Sequence, residues 1–375
     1  MIEKKHSAKH IPQIVFLIPS LAGGVGTVMG RLAGGVSKNE CSVEIWTISN
    51  KCDLDVEELE ENIKQVSFNA SRALFALPRI LWRLNQQQPD VILSTSFHVN
   101  CIILFAQALL NTRTRLFISE HTALVDALDS VGRAKKFIIS KLIKTLYPKA
   151  DGWIGISDTI ARQIEKVAGL PAQSVNRIYN PVISSAIHAK SRQDVAHPFF
   201  ETGLPVILGV GRLSPEKDFT NLIEAFYLVQ REIPAQLLIL GDGPERLALE
   251  RLVQKRHIKT CTSFAGYVKN PYPYFSKADL FVLSSLREGL PTVLIEALAL
   301  NVPVVSTNTA SGAHEILKNG KLGTLVPTGN PEQLAQGILN ALKSPKKVHN
   351  KALLEYDVAF ASKAYINYLL PERAC

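Results

Sequence analysis

Residues 279–296 read Asp-Leu-Phe-Val-Leu-Ser-Ser-Leu-Arg-Glu-Gly-Leu-Pro-Thr-Val-Leu-Ile-Glu. The apolar run from Leu280 to Leu283 predicts a buried strand, and the residues from Pro291 onwards predict a helix. The order is therefore a strand, an acidic loop and a helix N-terminus. Such a helix end presents unpaired backbone N–H groups and a partial positive charge, and both suit an anionic phosphate.

Two carboxylates stand eight positions apart in this stretch, Glu288 in the loop and Glu296 in the helix. Carboxylate oxygens accept hydrogen bonds, so Glu288 can bind sugar hydroxyls and Glu296 can reach a ribose. Glutamate pairs at this spacing are common, and the alternative is a solvated loop residue followed by an ordinary residue of the helix surface.

Short apolar runs alternate with helical patterns along the chain, which predicts parallel sheets covered by helices on both faces. The stretch 186–203 breaks the alternation and is expected to be a linker. Residues 1–185 then form one Rossmann-like domain and residues 204–352 a second. The predicted strands are Gln13–Ile18, Val43–Ile48, Val91–Ser94, Arg115–Ser119, Trp153–Ile156, Val206–Val210, Gln236–Leu240, Leu280–Leu283 and Pro303–Ser306.

Composition narrows the class of protein. With 375 residues, 46% of them apolar and 20% charged, the chain fits two globular domains. No apolar run reaches the roughly 18–20 residues that span a bilayer, and no signal-peptide core follows the basic N-terminus, so we expect a cytoplasmic protein. The five cysteines are scattered, which argues against a disulfide framework or a zinc site.

Positive charge is concentrated in the first half of the chain. The net charge is +9, and residues 66–150 hold 11 Lys or Arg against 4 Asp or Glu. A basic surface favours anionic membranes, nucleic acid or phosphorylated substrates, and composition alone does not choose among them.

A second loop supplies cations. Residues 209–217, Gly-Val-Gly-Arg-Leu-Ser-Pro-Glu-Lys, follow a predicted strand and precede a predicted helix. Arg212 and Lys217 lie five positions apart around a turn, so both can point into one site, where a leaving diphosphate develops negative charge. The alternative is a pair of solvated loop residues.

These motifs resemble those of the retaining glycosyltransferases of family 4, which have the GT-B fold. The resemblance implies two Rossmann-like domains that face a cleft, with a final helix, residues 353–375, that crosses back to the first. In the E-x7-E motif it assigns Glu288 to sugar hydroxyls and Glu296 to the ribose, and it assigns Arg212 and Lys217 to the diphosphate. The residues expected to bind the donor around them are Gly211, Gly289, Leu290, Pro291 and Thr292.

Other segments resemble the family's donor site as well. Val268 ends a segment, Phe-Ala-Gly-Tyr-Val, whose backbone reads the base, and Glu315 lies in a Ser-Gly-x-x-Glu-Ile segment near the donor sugar or caps its own helix. His121 follows a predicted strand and is expected to contact the donor sugar near the reacting centre, while Glu120 either orients it or faces solvent. The N-terminal glycine loop expected beneath the donor contains Gly24, Val25 and Gly26.

No metal or other cofactor is expected. Asp53-Leu-Asp55 spells the D-x-D of metal-dependent GT-A glycosyltransferases, but it lies in an acidic run that predicts a surface helix. Arg212, Lys217 and the helix N-terminus can neutralise the diphosphate without a metal.

Two amphipathic stretches, Ser71–Leu84 and Arg133–Lys149, carry basic residues beside an apolar stripe. The second holds six basic residues and no acidic one. Basic helices with an apolar face bind anionic membrane surfaces, which predicts a protein peripheral on the cytoplasmic face of the membrane. The alternative is that the apolar faces pack on the sheet and only the basic faces meet water.

The resemblance thus implies a retaining enzyme that moves a hexose or N-acetylhexosamine from a nucleotide sugar, expected to be UDP-linked. The acceptor would be a saccharide or a lipid-linked molecule in the synthesis of cell-surface polysaccharide or glycolipid. One alternative is a GT-B nucleotide-sugar 2-epimerase. Another is a basic nucleic-acid-binding protein, but the chain has no recognised module of that kind, and no nucleic-acid partner is expected.

Overall fold

The computed structural model describes residues 10–52, 62–110, 112–309, 312–346 and 350–373. These residues form two compact units. The first comprises the described parts of 1–156, 160–181 and 358–375, and the second comprises 157–159 and the described parts of 182–357.

The first unit is built on a parallel sheet of seven strands in the order β3-β2-β1-β4-β5-β6-β7. Its inner strand β1 is apolar and almost fully buried, as expected where helices cover both faces. The strands are β1 Gln13–Ile18, β2 Ser42–Thr47, β3 Lys64–Ser67, β4 Val91–Thr95, β5 Arg115–Glu120, β6 Gly152–Gly155 and β7 Asn176–Arg177. The helices are α1 Gly23–Ser37, α2 Ala73–Gln87, α3 Phe97–Leu109, α4 Leu124–Asp129, α5 Arg133–Leu146, α6 Asp158–Ala168 and the C-terminal α14 Val358–Leu369.

The second unit is built on a parallel sheet of six strands in the order β10-β9-β8-β11-β12-β13. The strands are β8 Val206–Val210, β9 Gln236–Leu240, β10 Thr262–Gly266, β11 Leu280–Leu283, β12 Val304–Thr307 and β13 Thr324–Val326. The helices are α7 Ser185–Ser191, α8 Phe219–Gln230, α9 Arg246–Lys255, α10 Tyr272–Lys277, α11 Thr292–Ala299, α12 Ala313–Ile316 and α13 Pro331–Lys343.

The predicted architecture of two doubly wound parallel sheets is confirmed, and each of the nine predicted strands is present within a few residues of its expected bounds. The stretch 186–203, expected to be a linker, continues α7, includes a short 3-10 helix and belongs to the second unit. Helix α14 packs on α1 in the first unit, as the resemblance implies. Within the described residues, none of the helices is both long and apolar enough to cross a bilayer.

Candidate active site

In the second unit the order of the strands reverses between the neighbours β8 and β11. From this point β8, β9 and β10 follow one another towards one edge of the sheet, and β11, β12 and β13 follow one another towards the other edge. In open parallel sheets, ligands bind beyond the carboxyl ends of the strands at such a switch point. The loops that carry Lys217 and Glu288 leave β8 and β11, so the fold brings these two sequence motifs together.

Lys217 and Glu288 form an ion pair at this point. The Lys217 Nζ donates to Glu288 Oε1 at 2.6 Å, and the Ser285 hydroxyl donates to the same oxygen at 2.6 Å. The side chains of Lys217 and Glu288 are 24% and 10% exposed. The ammonium predicted for a diphosphate and the carboxylate predicted for a sugar are therefore in contact, an arrangement that spacing in the sequence does not reveal.

Three hydroxyl and backbone contacts fix the loops that carry this pair. The Ser284 hydroxyl donates to the carbonyl of Lys217 at 2.9 Å, and the N–H of Leu286 donates to the carbonyl of Glu216 at 2.8 Å. Thr307, at the end of β12, donates from its hydroxyl to the carbonyl of Ser285 at 2.6 Å. Sequence reasoning missed Ser284, Ser285 and Thr307, although each follows or ends a predicted strand.

Arg212 is exposed in the loop after β8. It lies near Glu216; burial tends to raise the pKa of that carboxyl, but the Ser214 hydroxyl and the charges of Lys217 and Arg212 lower it overall. Arg212 thus joins Lys217 in one cationic loop.

The loop after β8 packs closely on the loop after β9. The N–H of Gly211 donates to the carbonyl of Leu240 at 3.0 Å. A Cβ at Gly241 would lie 1.9 Å from the carbonyl oxygen of Gly211, so only glycine permits this approach. The Gly-Asp-Gly-Pro stretch 241–244 therefore acts as a spacer that supports the cationic loop.

Glu296 lies in α11, buried and hydrogen-bonded to a tyrosine. Its Oε1 accepts from the Tyr272 hydroxyl at 3.3 Å, and its residue surface is 8% exposed. Tyr272 begins α10 and was not identified from the sequence, because nothing in its local pattern points to a partner 24 residues later. The hydroxyl fixes the carboxylate on the inner side of the helix, so Glu296 is not a solvated surface residue.

The residues between the two glutamates lead into the start of α11. Leu290 and Pro291 are buried, and Gly289 and Thr292 are half-buried. Helix α11 begins at Thr292 with Pro291 at its N-cap. The predicted helix N-terminus is therefore present directly after the loop that holds Glu288.

Val268 and Glu315 occupy other loops of the second unit. Val268 is half-buried two residues after β10. Glu315 accepts hydrogen bonds from the N–H groups of Asp158 at 2.9 Å and Thr159 at 3.2 Å. These two residues begin α6, but they belong to the second unit, whereas the rest of that helix belongs to the first. Its carboxylate therefore binds main-chain donors, although not those of its own helix α12.

In the first unit the glycine loop leads into α1, as predicted. Gly24 and Val25 lie in the first turn of the helix, and a Cβ on Gly24 would meet no atom within 4 Å. A Cβ on Gly26 would lie 2.4 Å from the carbonyl carbon of Leu21, so Gly26 is needed for the packing of the loop itself. Gly24 keeps open space beside the backbone, which the predicted phosphate contact requires.

His121 and Glu120 lie at the carboxyl end of β5, and both are buried. The imidazole Nε2 lies 3.3 Å from the Ser119 hydroxyl, while Nδ1 has no partner among the described residues. Burial lowers the pKa of His121 to about 4, so the ring is neutral at physiological pH. A neutral imidazole in this position can exchange hydrogen bonds with a hydroxyl but cannot neutralise a phosphate.

Glu120 neither faces solvent nor contacts His121 in the structure. It accepts hydrogen bonds from Asn100 Nδ2 at 2.8 Å and from the Tyr147 hydroxyl. Burial raises the pKa of its carboxyl to about 7, although these two hydrogen bonds act in the opposite direction. The residue is thus part of a buried polar network with α3 and the end of α5.

No group of three or more His, Cys, Asp or Glu is close enough to hold a metal ion in the part of the chain that the structure describes. Asp53-Leu-Asp55 lies outside the described residues.

The chain resembles known glycosyltransferases over nearly its whole length. The model of Glycosyltransferase Family 4 matches residues 22–185, and the model of Glycosyl transferases group 1 matches residues 191–352. A Campylobacter jejuni protein, N-acetylgalactosamine-N,N'-diacetylbacillosaminyl-diphospho-undecaprenol 4-alpha-N-acetylgalactosaminyltransferase, is 26% identical over 95% of this chain and 98% of its own length.

Solved structures share the fold across both units. HepE of Anabaena, crystallised with UDP, matches 95% of each chain with a TM-score of 0.70 at 18% identity. A glycosyltransferase from Rickettsia africae covers 96% of this chain and 98% of its own, with a TM-score of 0.77 at 15% identity. The chain therefore belongs to glycosyltransferase family 4 and is an enzyme with the GT-B fold.

Proposed function

We propose that this enzyme transfers a hexose or N-acetylhexosamine, with retention, from a UDP-sugar to a lipid-linked acceptor in the synthesis of cell-surface polysaccharide or glycolipid. The observation that carries the proposal is the Lys217–Glu288 pair at the switch point of the second sheet. The Campylobacter relative acts on a diphospho-undecaprenol substrate, and the Anabaena structure holds UDP, which supports both substrate classes.

In this proposal the two loops divide the donor between them. Lys217 and Arg212 bind the diphosphate together with the N-terminus of α11, and Glu288 binds hydroxyls of the sugar. The leaving diphosphate gains negative charge as the glycosidic bond breaks, and fixed cations stabilise that charge without a metal. Glu296, fixed by Tyr272, binds the ribose, and neutral His121 donates or accepts a hydrogen bond at a sugar hydroxyl.

Product analysis tests this function directly. The purified enzyme is given one UDP-sugar at a time, with and without a polyprenyl-diphosphate-linked sugar, and the products are identified by mass spectrometry and NMR. We expect transfer only when the acceptor is present, with the donor's anomeric configuration kept in the product. Release of an isomerised sugar nucleotide without an acceptor would instead establish an epimerase.

An exposed apolar surface on the first unit supports the proposal of a lipid-linked acceptor. Six apolar side chains of α2 and α5 are between 46% and 69% exposed, and we call them the apolar rim: Leu74, Phe75, Trp82, Phe137, Ile138 and Leu142. The predicted stripe on α5 is thus divided, because Ile143, Leu146 and Tyr147 are buried. The exposed half is free to insert into a lipid headgroup region.

Not all the cations near this rim are available to a membrane. Arg83 binds the buried Glu44 at 3.3 Å, Arg79 donates to the carbonyl of Phe68, and Lys136 pairs with Asp129. We therefore assign the electrostatic contact chiefly to Lys135, Lys141 and Lys144, which are exposed on α5. Each cation near an anionic surface contributes roughly 1 kcal/mol of binding free energy.

Liposome sedimentation tests the membrane contact. The triple variant Lys135→Gln, Lys141→Gln, Lys144→Gln should lose binding to anionic liposomes, and salt should mimic it by screening. A triple variant with the same charge change in the second unit, at Lys255, Lys259 and Lys343, should bind as the wild type does. If the wild type does not sediment with anionic liposomes at low salt, the membrane contact is wrong.

A further inference from the structure

A cavity of about 580 Å³ lies in the first unit, between the carboxyl edge of its sheet and the helices α2, α3 and α5. Its volume is within the range of roughly 300–1,000 Å³ that is typical of small-molecule sites. None of the residues assigned above to the sugar nucleotide lines it. It is therefore a separate site within this unit.

The cavity lies where this sheet is expected to bind a ligand. The strand order of this sheet reverses between the neighbours β1 and β4, which is where open parallel sheets bind ligands. Residues that follow β1, β2 and β4 form part of the wall of the cavity. Ser20 lines it and belongs to the loop that leads into the Gly24–Gly26 segment. One end of the cavity therefore adjoins the loop that we assign to the donor phosphate.

The wall is apolar, with one cation and no carboxylate among the described residues that line it. Its hydrophobic side chains come from three helices and the preceding loops, chiefly Ile48, Leu74, Phe97, Ile102, Ile139 and Leu142. The cation is Arg72, exposed at the start of α2. Helix α5, which supplies Ile139 and Leu142, carries basic residues and no acidic one. This combination suits a hydrocarbon chain that ends in an anionic group.

The cavity is continuous with the apolar rim. Leu74 of α2 and Leu142 of α5 line it, and both are members of the rim, 62% and 46% exposed. A hydrocarbon chain that contacts the rim can therefore extend into the cavity along these two leucines. A wholly polar occupant would leave the apolar wall without contacts and would not account for this continuity.

We propose that this cavity binds the hydrocarbon chain of the lipid-linked acceptor, next to its phosphate, and that Arg72 pairs with that phosphate. The inference rests on the proposed function and adds the site that holds the chain. It also gives the enzyme a means to select lipid-linked over free saccharides, because each buried methylene tightens binding roughly fourfold.

Binding of soluble isoprenyl diphosphates tests the cavity independently of activity. The probes are inorganic pyrophosphate, geranyl diphosphate, farnesyl diphosphate and farnesol, measured by calorimetry in detergent-free buffer. Affinity should rise at least about tenfold from geranyl to farnesyl diphosphate. Farnesol should bind more weakly than farnesyl diphosphate, and Arg72→Gln should remove that difference. Affinity independent of chain length, or equal for pyrophosphate and farnesyl diphosphate, would overturn the proposal.

Variants locate the binding site. Ile102→Asn and Leu142→Asn should each weaken farnesyl diphosphate at least about tenfold, because each places an amide in the apolar wall. Leu109→Asn is the matched control, since Leu109 lies on α3 with Ile102, is exposed and does not line the cavity. Ser71→Trp, from an exposed wall position, should block the cavity even if Ile102→Asn does not fold. Unchanged farnesyl diphosphate binding in folded Ser71→Trp and Leu142→Asn would refute the site.

The outcome separates this inference from the proposed function. If the enzyme transfers sugar to a polyprenyl-diphosphate acceptor but binds isoprenyl diphosphates without regard to chain length, the cavity inference fails and the function remains. If binding depends on chain length and on Leu142 but no transfer occurs to any lipid-linked acceptor, the cavity remains and the function fails. Phe137→Asn should weaken liposome binding and leave farnesyl diphosphate binding unchanged, because Phe137 belongs to the rim and does not line the cavity.

Discussion

Removal of the charge on Glu288 should separate donor binding from sugar transfer. In the structure the Glu288 carboxylate accepts from Lys217 at 2.6 Å and from Ser285 at 2.6 Å through one oxygen. Glu288→Gln keeps the size of the side chain but removes the negative charge beside Lys217. The ammonium then has no anionic partner at this contact and is available in full to a diphosphate.

The geometry sets the size of the effect. Exposed ion pairs contribute roughly 0.2–1 kcal/mol, and hydrogen bonds to charged groups roughly 1.5–3 kcal/mol. With side chains 24% and 10% exposed, the pair lies between these cases. We therefore expect UDP to bind about fivefold more tightly to Glu288→Gln, equivalent to about 1 kcal/mol. Transfer should fall by about 10–150-fold, because a charged hydrogen bond to the sugar is lost.

Calorimetric titration with UDP and initial-rate assays with the UDP-sugar measure the two effects on the same preparations. Glu224→Gln is the matched control. Glu224 pairs with Arg256 at 2.8 Å in the same unit, and it lies within α8 and not in the loops of the site. Its UDP affinity and rate should equal those of the wild type. If Glu288→Gln weakens UDP as much as it slows transfer, Glu288 does not restrain Lys217 in the way that we infer.

Three further predictions concern the ribose contact, the cationic loop and the buried Glu120. Tyr272→Phe should weaken UDP binding by about 2–10-fold. Glu296→Gln should weaken it more, because the tyrosine acts only by holding the carboxylate. Equal titration curves for Tyr272→Phe and the wild type would contradict this. Arg212→Ala should lower turnover by about 10²–10³-fold, and activity should persist in a chelator; restoration of lost activity by a divalent metal would disprove the metal-free mechanism. Glu120→Gln should change the pH dependence of stability. The folded pKa of about 7 lies above the ordinary 4.5, so the free energy of unfolding of the wild type falls by about 2–4 kcal/mol as the pH rises from the lower value to the higher. The variant lacks this fall. Denaturant midpoints of both proteins at about pH 5 and about pH 8 measure the difference, in which the opposite contribution of His121 cancels.

The fold could be predicted in outline because its central strands are continuous apolar runs. Strands such as Gln236–Leu240 are buried on both faces, so their composition alone identifies them. The strands that were not predicted lie towards the edges of the two sheets, where burial is incomplete. Residues 64–67 read Lys-Gln-Val-Ser and residues 176–177 read Asn-Arg, and such short polar stretches carry no apolar pattern. Their pairing is fixed by neighbouring strands and not by their own residues.

The sequence indicated candidate site residues one at a time, but it did not reveal the contacts between them. Lys217 and Glu288 lie 71 positions apart, and the strand order that brings their loops together does not follow from either motif. Tyr272 was missed for the same reason. For Glu315 the sequence left two alternatives, the donor sugar or its own helix, and it did not reveal the main-chain donors of Asp158 and Thr159, which lie more than 150 positions away.

On α5, sequence reasoning identified the apolar stripe but not its division. A helix that lies on a domain surface buries only the residues that face inward, and periodicity shows a stripe without showing what covers it. Ile143 and Leu146 pack inside the first unit, whereas Ile138 and Leu142 are exposed. The buried half therefore fits the packed-helix alternative, and the exposed half is the part that we propose for contact with a membrane.

The Lys217–Glu288 pair also gives the ammonium that we assign to the diphosphate an anionic partner within the protein. A cation held ready for a diphosphate is repelled by other cations and desolvated by the loops around it, and an unpaired buried charge is costly. Glu288 offsets that cost, and Ser285 and Thr307 hold the loop so that the carboxylate stays within reach. In the function that we propose, the donor diphosphate takes over as the anionic partner of Lys217, and the carboxylate becomes available to the sugar hydroxyls. The same contact thus couples the arrival of the phosphate to the readiness of the sugar site, which is why we expect binding and transfer to respond in opposite directions when Glu288 loses its charge.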